Sequence, residues 1–204
     1  MDKKNDNKNV QKINEEKNMN SSLHKEIIFN KIIPTFSKDI IFFSKYSNFA
    51  QKYKEEFKIT PAAKLMHHNY IGGLLEHTFE CLEFADVVLT KCNGKLNSDT
   101  VYAACILHDF GKIFEYIVNT ETGLIEYNED FRKDWRTHSQ WGFTVCMSNG
   151  FKDVAKMIAA HHGRKDWGAL IDLDEKDAEP FMYIIHHIDD LSAKFGKISI
   201  TDID

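Results

Sequence analysis

Ten histidines occur in 204 residues, and all but His24 lie between His67 and His187. Imidazole and carboxylate together suit first-row transition ions, so the places where His and Asp recur decide whether a metal centre can form. His77 stands in GGLLEHT, His108-Asp109 in LHDFGK, His138 in WRTHSQWG, His161-His162 in AAHHG, and Asp189-Asp190 in HHIDDLSAKFG. The separations are 31 residues from His77 to His108, then 30 to His138, 23 to His161 and 28 to Asp189. Such intervals suit helices packed round a shared centre, one ligand or pair per helix, and do not suit a zinc finger. A lone histidine on an apolar helix face is more often a hydrogen-bonded core residue. Five such sites ending in an aspartate reverse that expectation. Mixed imidazole and carboxylate ligation points to Mn, Fe, Co, Ni or Zn before Ca, without choosing among them.

The elements that must position these residues read as helices. Leu74, Leu75, Phe79, Leu82, Ala85, Val88 and Leu89 recur at spacings of three and four and predict a helix from Gly72 to Cys92, stopped by Asn93-Gly94. A second helix spans Thr100 to His108, capped by Ser98 or Asp99. Residues 113–127 change pattern: IFEYIV and LIEY flank Asn119 to Gly123 and predict a small hairpin insert. Helices resume from Asp134 to Met147, Phe151 to His162 and Glu179 to Phe195. Upstream, helices are expected from Ser22 to Ile33 and Ser37 to Phe57, with Thr60-Pro61 as a break. Residues 1–20 hold six Asn and five Lys and predict a disordered tail. The expected organisation is that tail, a helical extension over 21–60, an all-α catalytic bundle with a β-hairpin insert over 61–196, and a loose tail at 197–204.

Composition bounds the class. With 43% apolar and 28% charged residues, 15 Phe and three Pro, the chain suits one helical domain with a bulky core. A net charge of -5 argues against a broad nucleic-acid surface. No apolar run reaches membrane-spanning length and the N-terminus lacks a signal pattern, so a cytoplasmic location with no membrane partner is expected. Cys81, Cys92, Cys105 and Cys146 form no C-x-x-C pair and read as reduced core thiols.

The order H, HD, H, H, D resembles the HD superfamily of metal-dependent phosphohydrolases over residues 60–196. The string TPAAKLMHHNYIGGLLEHTFE is similar to the YhaM-like branch, whose members include 3'-to-5' exoribonucleases. The resemblance implies His77, His108, Asp109 and Asp189 as core metal ligands, with Asp190 the competitor for the last place. It implies His138 and one of His161 or His162 as the extra ligands of two-metal members. His161 is favoured, as the first of the pair, one turn after Met157 and Ile158. Asp109 would bridge two divalent ions, and the implied reaction is hydrolysis of a phosphodiester.

Several neighbours join this reading. Lys112, one turn beyond Asp109, could meet a substrate phosphate or cap its helix. Arg164 and Lys165 could clamp phosphate or form a solvated turn, and Arg132, Lys133 and Arg136 are a second candidate clamp. His68, with His67, could touch substrate or a ligand-orienting carboxylate, or fasten the loop before Gly72-Gly73; His162, if not a ligand, could bind substrate. His186 is expected to support Asp189. Trp135 and Trp167 are candidate stacking platforms, while Trp141 reads as core. The YhaM-like enzymes carry an N-terminal OB-fold domain, and the residues before Pro61 do not read as five strands, which points away from long RNA. The expected partner is a phosphorylated small molecule or a short single-stranded nucleic acid; alternatives are a nucleotide phosphatase or triphosphohydrolase, or a nucleotide-binding regulator. A homodimer through the N-terminal helices is possible for a domain of this shape.

Overall fold

The structure is a computed structural model, and it describes residues 52–176 and 178–195. The expected tail over 1–20, the helix over 22–33, most of the one over 37–57 and the C-terminal tail lie outside the described residues. The helices are α1 Lys54–Ile59, α2 Gly73–Cys92, α3 Ser98–Leu107, α4 Lys112–Glu115, α5 Glu129–Trp135, α6 His138–Ser148, α7 Lys152–Ala160 and α8 Met182–Phe195. Between α4 and α5 run β1 Tyr116–Val118 and β2 Ile125–Tyr127. The architecture is a helical bundle carrying a two-stranded antiparallel hairpin, as the sequence predicts.

α7 occupies the centre because six of its nine side chains are small or apolar. Val154, Ala155, Met157, Ile158, Ala159 and Ala160 are all buried, and the helix packs against α3, α6 and α8. Leu74, Leu75, Leu107, Phe110, Ile185 and Ile188 complete the core around it. Phe110 stacks on Phe57 and on half-buried Trp141, the tryptophan read as core. The four cysteines are free; Cys81, Cys105 and Cys146 are buried and Cys92 is half-buried.

Local boundaries depart from the periodicity where side chains rewrite them. α3 is capped by Asn97, whose Oδ1 accepts from Thr100 N at 3.0 Å, and not by Ser98 or Asp99. The strand expected to begin at Ile113 starts at Tyr116, because Gly111 O accepts from Glu115 N and keeps Lys112–Glu115 helical. Pairing then runs Tyr116 to Tyr127, Ile117 to Glu126 and Val118 to Ile125. The single helix expected over 134–147 is two. α5 ends at Trp135, Arg136 takes φ 59°, and extended Thr137 caps α6 by accepting from Gln140 N. The new start presses His138 onto Gly111, where a Cβ would lie 2.9 Å from His138 Cα, so only glycine fits there.

Candidate metal centre

Five helix segments deliver one centre. His77 lies in the second turn of α2, His108 caps the C-terminus of α3 with Asp109 next, His138 opens α6, His161 caps α7, and Asp189 sits within α8. His77 Nε2 stands 3.1 Å from His108 Nε2 and 3.2 Å from Asp189 Oδ1. Asp109 joins two groups of nitrogens. Its Oδ2 is 3.5 Å from His77 Nε2 and 3.6 Å from His108 Nε2, while its Oδ1 is 3.1 Å from His138 Nε2 and 3.7 Å from His161 Nε2. The histidines and Asp109 are buried, with Asp109 only 2% exposed.

Each histidine is held by its other ring nitrogen. His108 Nδ1 donates to Cys105 O at 2.9 Å, and His161 Nδ1 donates to Ile158 O at 2.6 Å. His138 Nδ1 lies 2.6 Å from Glu115 Oε2, which also accepts from His138 N. Ser192 Oγ donates to Glu80 Oε2 at 2.6 Å, so it must accept from His77 Nδ1, 2.8 Å away. A carbonyl or carboxylate can only accept, which assigns the proton to Nδ1 and turns a bare Nε2 inward in the neutral rings. Ligand histidines anchored in this way have fixed orientation and raised basicity.

The result is a buried set of acceptors facing one another. Asp109 Oδ1, His138 Nε2, His161 Nε2 and His162 Nδ1 are buried without a hydrogen-bond partner among the described residues. Buried polar atoms are rarely left this way, and a divalent cation among them is the group their chemistry fits. Ligand-atom groupings point the same way: His138, His161 and His162 form one set, and His77 belongs to two others, with Cys81 and His108 and with His67 and His68. Burial pushes the Cys81 thiol up, so it stays protonated in the core behind His77.

Electrostatics keep the set ready for cations. Burial opposes charge on Asp109, but the Lys112 ammonium, 2.5 Å from Oδ2, and the neighbouring histidines outweigh it and hold the carboxyl well below the usual range. Asp189 is likewise lowered, with burial outweighed by His77 and His108. Burial pushes His108 and His161 down, favouring neutral rings. His138 is raised, because Asp109 and Glu115 outweigh burial and Lys112.

A cleft of about 620 Å³ opens over this centre, lined by Lys112, His138, His161 and Asp189 and by His67, His162, His186 and Trp167. Of the residues read as substrate-binding, His162 lines it and His68, Arg136, Arg164 and Lys165 do not. His68 is buried against Glu80 at 3.4 Å, the ligand-orienting alternative in the sequence reading, with φ 48° and its carbonyl pressed on Gly73. Arg164 pairs with Asp174, and Lys165 pairs with Glu175 while its backbone N–H binds Asp172. Arg136 is an exposed turn residue between α5 and α6. Asp189 rather than Asp190 reaches His77; Asp190 pairs outward with Lys194. His186, expected to support Asp189, holds the carbonyl of His161 at 2.7 Å. Glu80, Ser192 and Glu115 were invisible as site residues in the sequence. Helical spacing signals two of them, Glu80 and Ser192 each falling one turn after a ligand, His77 and Asp189.

The family model of the HD domain matches residues 74–194. A 3'-5' exoribonuclease YhaM from Geobacillus sp. (strain WCH70) is 32% identical over 157 residues, covering 72% of this chain and 45% of that protein. A dihydroneopterin 2',3'-cyclic phosphate phosphodiesterase from Methanocaldococcus jannaschii is 29% identical, covering 69% and 54%. A 3'-5' exoribonuclease YhaM from Bacillus subtilis (strain 168) is 27% identical, covering 94% and 63%. The chain thus spans about half the length of the curated relatives it matches. No solved structure matches.

Proposed function

The chain belongs to the HD-domain family, and from that membership we propose that it is a two-metal phosphohydrolase cleaving a phosphodiester in a nucleotide or short oligonucleotide. The observation that carries this reading is Asp109, whose two oxygens face separate nitrogen pairs, His77 with His108 and His138 with His161. One ion would be held by His77, His108, Asp109 and Asp189. The other would be held by Asp109, His138 and His161, with His162 beside them. When bound, such ions polarise a phosphoryl oxygen and acidify water near neutral pH.

The protein's own residues do the rest. Asp109 and Asp189 supply negative charge that keeps cations in the cleft floor. The Nδ1 anchors of the four histidines hold that floor rigid, so little reorganisation is needed on binding. Lys112 is buried yet lines the cleft, where its ammonium meets an entering phosphate. Water replaces one ester oxygen at phosphorus, leaving a phosphomonoester and an alcohol. The named activities of the relatives support a diester: an exoribonuclease and a cyclic-phosphate phosphodiesterase differ in substrate and share cleavage of a phosphodiester.

The test is elemental analysis of purified protein with a phosphoester panel, comparing wild type and Asp109→Ala. The expected result is about two transition ions per chain and release of nucleoside monophosphates from oligonucleotides, both lost in the variant. Phosphate release from free mononucleotides alone would move the assignment to a nucleotide phosphatase. Retained metal with no hydrolysis would leave a nucleotide-binding domain.

A further inference from the structure

The cleft carries more apolar surface than phosphate chemistry requires. Leu65 and Met66, on the loop before α2, and Trp167, on the turn after α7, all line it, at 81, 63 and 65% exposed. Single exposed apolar residues are ordinary, but three large ones on one cleft beside buried charge mark a recognition surface.

Trp167 is held where a ligand would meet it. It ends a 3-10 turn, Lys165–Trp167, and Gly168 follows with φ 100°. Gly168 abuts the metal centre, since a Cβ there would lie 3.2 Å from His162 Nδ1. The Arg164 guanidinium lies 5.7 Å from the indole centroid and 3.8 Å from Asp174, a cation–π contact that steadies the ring. Lysines line the same cleft: Lys64, whose Nζ is 4.8 Å over the Tyr127 ring, with Lys112 and Lys194, which pair with Asp109 and Asp190. The surface therefore suits a ligand with an anionic part and a flat π-face.

We propose that Trp167, with Leu65 and Met66, is a nucleobase platform, so the preferred substrate carries a base next to the scissile phosphodiester. The substrate half of this proposal rests on the phosphodiesterase reading; the stacking itself does not. An indole stacks on any base, so the platform selects for a base and discriminates weakly among bases. Alkyl phosphates and inorganic polyphosphates leave it uncovered.

The test uses the full chain loaded with Mn²⁺ and two substrates, a ribodinucleoside monophosphate and its analogue lacking the base. In wild type, loss of the base is expected to lower kcat/KM about tenfold, mainly through KM. Trp167→Ala should show the same loss on the intact dinucleotide and little further loss on the abasic one, and Trp167→Phe should restore most of the activity. Equal responses of wild type and Trp167→Ala to base removal would overturn the platform and leave the hydrolase assignment standing. If no diester is cleaved, quenching of tryptophan fluorescence by adenosine monophosphate decides separately. Quenching present in wild type and absent in Trp167→Phe supports the platform; identical responses refute it.

Discussion

His77 Nε2 and His108 Nε2 face each other at 3.1 Å, and in the neutral tautomers that their Nδ1 contacts select both nitrogens are bare. Two lone pairs that close, with Asp109 and Asp189 oxygens beside them, repel unless a cation lies among them. Metal binding should therefore be coupled to folding. Chelation of purified protein should lower the Tm by roughly 5–10 °C, and added Mn²⁺ should restore it, as expected for a ligand near one hundred times its Kd. A Tm indifferent to chelator would mean that the histidines are structural.

The two halves of the centre should separate by mutation. His138→Ala is expected to leave about one ion per chain, because His77, His108, Asp109 and Asp189 remain. Asp109→Ala, which strips an oxygen from both halves, should leave fewer. Elemental analysis of both variants reads the difference, and equal metal content would argue against a bridging Asp109.

Ser192→Ala and Glu115→Gln alter no atom facing the centre but weaken the contacts that orient His77 and His138. Each should weaken metal affinity by about 10- to 100-fold, measured by competition with a chromophoric chelator. Unchanged affinity would show that packing alone holds the rings.

Gly163 has φ 79°, and a Cβ on it would lie 2.5 Å from His186 Cε1. Gly163→Ala should thus destabilise the protein by about 2 kcal/mol, seen as a lower urea midpoint, with the metal-loaded protein also affected because His186 holds the His161 carbonyl.

Acid should weaken the metal-free protein. Burial, reinforced by His138, pushes His162 down to about 4, and burial with His77 pushes His67 to about 4; His108 and His161 are also lowered. Below the unfolded value near 6.5 the unfolded chain binds more protons at these sites, so stability is full above that pH and declines toward about 4. His138, raised by Asp109 and Glu115, acts in the opposite sense and is outnumbered. Urea midpoints of chelator-treated protein at pH 7.5 and about 5 check the sign; a higher midpoint at the lower pH would contradict it.

Much of this architecture was legible in the chain. Helical periodicity is a local property, and so the helix over 73–92, the hairpin and the all-α class could be read directly. The break at Arg136-Thr137 could not, since Thr137 begins a new helix only where Gly111 lets His138 approach. Nor could the partners of the basic residues be read. Adjacency to a ligand in sequence says nothing about direction, and Arg164 and Lys165 pair with Asp174 and Glu175.

By itself the sequence determined which residue types were available to a metal centre and in what order, because ligand identity is covalent and helix-length spacing is local. Tertiary structure alone decided how they are used. The Ser192 contact that fixes His77 spans 115 residues, and the choice of Asp189 over Asp190 and the two directions faced by Asp109 depend on how α2, α3, α6, α7 and α8 pack. Proton placement on an imidazole follows from whichever acceptor packing brings to its other nitrogen, and periodicity carries no record of that.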